Sequence, residues 1–95
     1  MRTVNRKELA ERVAREVGIP KVKAQRALNV ALHAIMQAVA RGDRVLLAGF
    51  GTFRPRTRKA QLKLHPRTRQ PLQVPARQVP KFKAGKLFRQ RVAGK

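Results

Sequence analysis

The sequence contains no cysteine, no tryptophan and no tyrosine. Without thiols it can form neither a disulfide nor a thiolate metal site. With four phenylalanines as its only aromatic residues, any core has to be mostly aliphatic, and the chain is poor in the rings on which RNA readers stack bases. Acids are as scarce, four Asp and Glu against 24 Lys and Arg. No nucleophile–base pair, no carboxylate pair in the basic half and no metal-ligand cluster can be picked out, so the chain is not expected to be an enzyme or to need a cofactor. No apolar run approaches the roughly 18–20 residues of a membrane span, and the N-terminus lacks the apolar stretch of a signal peptide. A cytoplasmic protein with no membrane and no small-molecule partner is expected.

What is abundant is positive charge, +20 on 95 residues. It is unevenly spread. Residues 1–43 carry nine bases and all four acids (Glu8, Glu11, Glu16, Asp43), whereas residues 44–95 carry fifteen bases and no acid. Self-repulsion on that scale disfavours a compact state unless a polyanion or counterions screen it. Nucleic acid fits, because neutralised phosphates release condensed counterions and so drive binding. A chain this short also has a large surface relative to its interior, and often completes a core by pairing with its own copy.

The hydrophobic period changes near residue 43. Asn5 followed by Glu8 fits a capping-box variant, Leu9, Val13 and Val17 with Ala10 and Ala14 form one helical stripe, and Gly18 supplies a stop. Pro20 marks the next start. Ala24, Ala27, Leu28, Ala31, Leu32, Ile35, Met36 and Val39 then recur at three-and-four spacing, predicting a second amphipathic helix that ends near Arg41. Val45 to Leu47 reads as a short strand, Gly49 to Gly51 as a tight turn, and Thr52-Phe53 as the opening of another strand. Phe82, Leu87, Phe88 and Val92 predict a short C-terminal helix entered through Ala84-Gly85-Lys86.

Residues 54–75 differ in kind, with seven bases, four prolines (Pro55, Pro66, Pro71, Pro75) and few large apolar groups. Such a stretch cannot bury itself. Composition alone is equally compatible with a disordered basic linker and with an ordered ribbon. Strand-like segments on both sides, Thr52-Phe53 and Val74 to Val79, favour a hairpin projecting from the body with its turn near His65 to Thr68. Prolines suit it, because a two-stranded ribbon has only edges.

From about Asn5 to Val92 the chain resembles the HU/integration host factor family without needing a gap. The resemblance rests on Gly49-Phe50-Gly51-Thr52-Phe53, on Arg58, Pro66 and Thr68 at the family's offsets, and on Val79-Pro80, Phe82 and Gly85-Lys86 after them. It implies an α+β fold: two N-terminal helices, a three-stranded antiparallel sheet with a protruding β-ribbon arm, and a short C-terminal helix. The whole of residues 1–95 is then one domain, with a helical dimerisation half at 1–43 and the sheet, arm and last helix at 44–95. The resemblance also implies an intertwined homodimer whose arms follow the minor groove of duplex DNA. At each tip a proline wedges between base pairs, bending and compacting DNA in the nucleoid with little sequence preference. That proline is Pro66 here; the plain alternative is a turn residue only. Phosphate and groove contacts are expected from Arg54, Arg56, Arg58, Lys59, Gln61, Lys63, His65, Arg67, Arg69, Arg77, Lys81, Lys83 and Lys86. Gly85-Lys86 offers backbone N–H groups and a cation together. Phe50, Phe53 and Phe82 are assigned to the dimer core.

At the tip the chain departs from the family. Where the family carries Arg-x-Gly-Arg-Asn-Pro-x-Thr-Gly, residues 61–69 read Gln-Leu-Lys-Leu-His-Pro-Arg-Thr-Arg. Two arginines are lost, to Gln61 and Leu64, and both glycines become basic, Lys63 and Arg69. Losing the second glycine removes an easy positive-φ position, so a different turn is expected. His65, at the family's asparagine, either contacts a groove or caps the turn. Leu64 shares the ribbon side of Pro66 if strand alternation holds, which would widen the apolar wedge. Other functions remain open on sequence: a site-specific relative like integration host factor, which reads DNA deformability, or an RNA-binding ribosomal-type protein. A helix-turn-helix reader is disfavoured, because the second helix has few side chains suited to base edges. His33 falls on that helix's polar side and suggests no chemistry.

Overall fold

The computed structural model describes residues 1–94. In chain order they form α1 (Arg6–Val17), α2 (Lys21–Ala40), β1 (Val45–Leu47), β2 (Gly51–Arg58), β3 (Gln61–Leu64), β4 (Pro71–Val74), β5 (Arg77–Ala84) and α3 (Lys86–Ala93). Contacts divide the chain into two compact units, Met1–Gln37 and Ala38–Lys95. No helix among the described residues is long and apolar enough to cross a membrane.

In the first unit the caps stand where the sequence placed them. Asn5 is the N-cap of α1, its Oδ1 accepting from the Glu8 backbone N–H at 2.9 Å. The reciprocal half of the capping box is replaced, since the Glu8 carboxylate pairs with Arg2. Gly18 ends the helix at φ 78°, a left-handed conformation that costs a residue without Cβ little. Arg6 reaches from α1 to donate to the Asn29 side chain of α2 at 3.0 Å.

The buried residues of this unit are all small: Ala10, Ala14 and Ala24, with Ile19 and Leu28 packed against them. Alanine faces let helices approach closely, but they remove little apolar area from water. The larger stripe residues stay out. Leu9, Val13 and Val17 on α1 are exposed, as are Val22, Leu32 and Met36 on α2. Periodicity identified the apolar stripes correctly, and their larger members are exposed.

In the second unit, β1, β2 and β5 form one antiparallel sheet in the order β1-β2-β5, and β3 pairs with β4 in a separate two-stranded ribbon. β2 begins at Gly51, one residue before the expected Thr52, because the turn ends at Phe50. Gly51 is buried against β5, where an added Cβ would lie 2.6 Å from both the Lys83 carbonyl and the Phe82 ring. Phe82, grouped by sequence with the last helix, lies instead on β5, directly opposite Phe53. Gly85 separates the strand from α3, so Phe82 falls outside the helix that begins at Lys86. The Gly85 N–H donates to the Phe50 carbonyl at 2.8 Å, which ties the start of α3 to the β1–β2 turn.

Candidate nucleic-acid interface

The register of β2 with β5 sorts their side chains by chemistry. The pairs are Gly51–Ala84, Thr52–Lys83, Phe53–Phe82, Arg54–Lys81, Pro55–Pro80, Arg56–Val79, Thr57–Gln78 and Arg58–Arg77. Successive side chains of a strand point to opposite faces. One face therefore carries Arg54, Arg56, Arg58, Arg77, Lys81 and Lys83, and the other carries Phe53, Phe82 and the Pro55–Pro80 pair. Val45 and Leu47 of β1 lie opposite Phe53 and Gly51 and extend the apolar face. Towards the arm that face turns polar, where the Gln78 amide donates to the Thr57 hydroxyl at 2.9 Å.

The basic face works against its own sheet. Arg54 stands across from Lys81, and Arg58 across from Arg77. Like charges directly opposite on neighbouring strands are destabilising, and residues 44–95 contain no acid to relieve them. The ion pairs found among the described residues, Arg2–Glu8, Arg12–Glu16 and Arg41–Asp43, draw all their acids from the first 43 residues. The face is thus a ladder of unneutralised cations held in fixed register.

On the opposite side four phenylalanine rings meet. Phe53 and Phe82 have centroids 4.7 Å apart, Phe50 lies 5.5 Å from Phe82, and Phe88 of α3 lies 5.2 Å from Phe50. Such tilted contacts favour aromatic clustering beyond area alone. The cluster is not sealed, for Phe50 is still 45% and Phe82 39% exposed. An apolar hollow beside it is lined by Gly49, Phe50, Leu87, Phe88 and Arg91. Phe88 was missed as a member of this group because its helical period said only that it would face inward.

Beyond Arg58 the ribbon continues as β3 and β4, with Gln61 opposite Val74, Lys63 opposite Leu72 and Leu64 opposite Pro71. Lys59 lies in the break between β2 and β3 and is exposed. Nearly every residue from Lys59 to Arg77 is exposed, and His65 and Val74 are half-buried. Strand pairing stops at Leu64, and Pro66 to Thr68 form the turn. Alternation therefore cannot be carried from Leu64 to Pro66, which removes the geometric basis for a shared wedge.

Two further points at the tip depart from expectation or resolve it. Arg69 takes φ 56°, so this position adopts a left-handed conformation without a glycine. For a residue with a Cβ this costs about 1–2 kcal/mol. Of the two roles open to His65, the free chain shows the cap: its Nδ1 accepts from the Arg67 and Thr68 backbone N–H groups at 3.2 and 3.4 Å. At the other end of the sheet, α3 starts with Lys86 after Gly85, with no side-chain cap on its first turn.

Comparison with known proteins shows the family. Residues 4–93 match the family described as bacterial DNA-binding protein. DNA-binding protein HU of Nostoc sp. is 44% identical over 90 residues, covering 95% of this chain and 96% of that protein. DNA-binding protein HU of Thermotoga maritima is 39% identical over 89 residues, with 94% and 99% covered. Among solved structures, an Anabaena HU–DNA cocrystal superposes with a TM-score of 0.92 at 43% identity, covering 97% of this chain and all of that one.

Proposed function

The chain belongs to the bacterial DNA-binding protein family of HU, and from that premise we propose that it is a histone-like protein that binds duplex DNA with little sequence preference and bends it. The observation that carries this reading is the segregation of β2 and β5 into a cationic face and an apolar one. Arg54, Arg56, Arg58, Arg77, Lys81 and Lys83 meet phosphates, and binding relieves the repulsion built into their register. Lys59, Gln61, Lys63, Arg67 and Arg69 extend the contact along the arm, and Lys86 adds a cation beside the open N–H groups of α3.

Pro66 is the wedge. It sits exposed in the turn that closes the arm, and its ring is apolar and rigid, so little conformational entropy is lost on insertion. Unstacking a base step costs on the order of a few kcal/mol, which the added contacts of a bent duplex offset. The apolar face and the exposed stripes of α1 and α2 are completed by a second copy of the chain. Phe50, Phe53, Phe82 and Phe88 then form part of the shared core, and the working unit is a homodimer associated with the nucleoid. The proteins it matches are named for DNA binding, and the rival site-specific and RNA-binding readings gain no support from the geometry.

The test is DNA bending measured by energy transfer between duplex ends, for wild type and Pro66→Ala at matched salt. The variant keeps most of its affinity and bends less. Wild-type affinity falls steeply with salt, by about 0.9 in log K per log salt for each phosphate neutralised. A flat salt response refutes the phosphate ladder, and equal bending by the two proteins refutes the wedge.

A further inference from the structure

The turn that presents Pro66 is organised around one residue. The His65 backbone N–H donates to the Gln70 carbonyl at 2.9 Å, and its carbonyl accepts from the Arg69 N–H at 2.8 Å. The imidazole Nδ1 then accepts from the N–H groups of Arg67 and, more weakly, Thr68. Every backbone N–H from Arg67 to Gln70 has a partner inside the turn, since Gln70 donates to the Thr68 hydroxyl at 3.3 Å. Two of those four depend on the imidazole alone. Because both of its partners are donors, Nδ1 has to be the unprotonated nitrogen, with the ring proton on Nε2. An imidazolium has no acceptor to offer.

We propose that His65 is a positioning residue, whose Nδ1 holds the turn closed so that Pro66 is presented for insertion. The inference rests on the reading of Pro66 as the wedge. Without the Nδ1 acceptor the Arg67 and Thr68 N–H groups lose their partners, in a turn that already carries the left-handed strain of Arg69.

The experiment compares wild type, His65→Asn, His65→Ala and Pro66→Ala in the bending assay at matched salt. Asn also presents an acceptor to the next backbone N–H groups, whereas Ala presents none. His65→Ala lowers the population of the ordered tip about two- to ten-fold, the range set by one net hydrogen bond. Its bending falls with it and its Arg67 and Thr68 amides exchange faster, while His65→Asn restores both. If His65→Ala bends and exchanges as wild type does, or if His65→Asn is as low as His65→Ala, the proposal is overturned. If Pro66→Ala bends as wild type does while the amides still respond to His65→Ala, the wedge reading fails and the His65 coupling of the turn stands.

Discussion

Removing one charge from the cationic face has opposite effects on the free protein and on its complex with DNA. In Lys81→Gln the aliphatic stem is largely kept and the repulsion from Arg54 across the strand is lost. Two unit charges about 6 Å apart in water repel by about 0.7 kcal/mol, and opposed like charges on a sheet cost about 0.2–1 kcal/mol. A gain of about 0.5 kcal/mol raises the melting temperature of a chain this size by about 2–4 °C. DNA binding moves the other way, because each chain neutralises one phosphate fewer. The slope of log K against log salt becomes shallower by about 0.9 per chain. The assays are thermal unfolding of the free protein at fixed concentration, repeated at low and high salt, and a salt titration of affinity. High salt abolishes the thermal gain, since the screening length shrinks to about 3 Å at 1 M. A variant that is destabilised at low salt, or that leaves the salt slope unchanged, refutes the claim that Lys81 belongs to a self-repelling face turned towards phosphates.

Three other substitutions probe separate parts of the fold. Gly51→Ala forces a Cβ to 2.6 Å from the Lys83 carbonyl and the Phe82 ring, and it is expected to cost about 1–3 kcal/mol in denaturant unfolding. Arg69→Gly removes about 1–2 kcal/mol of left-handed strain, so arm amides become more protected from exchange while the salt slope of binding becomes shallower. Phe88→Ala opens the four-ring cluster and is expected to cost about 3–5 kcal/mol. If, as proposed, the aromatic group is shared with a second copy, its unfolding midpoint also depends more steeply on protein concentration.

Much of the architecture could be read from local chemistry. Asn5, Gly18 and Pro20 mark helix boundaries through steric and hydrogen-bonding rules that act within a few residues, and they hold in the structure. The change of hydrophobic period after Asp43 and the acid-free second half announced a strand region facing a polyanion. The arm was legible too, because a run of prolines and bases cannot enter a core yet is bordered by strand-like segments. Where reading failed, the missing information was non-local. Phe82 was grouped with the apolar residues of the last helix, and only its pairing with Phe53 shows that it is a strand residue. Phe88 joins the ring cluster because Gly85 docks on the Phe50 carbonyl, a contact between residues 35 positions apart.

Sequence alone established the inventory: which residues are apolar, which are cationic, and where helices and turns begin and end, since each of these depends on a side chain and its near neighbours. Register was beyond it. A shift of one residue between β2 and β5 would change which cations face one another and which of the two faces each strand's side chains share. Side-chain capping at the tip was likewise undecided, because His65 could contact a groove or cap the turn, and the geometry of the closed turn shows the cap. The division of one ribbon into a face that repels itself and a face that seeks a partner belongs to the pairing, a property of two strands together and of neither separately.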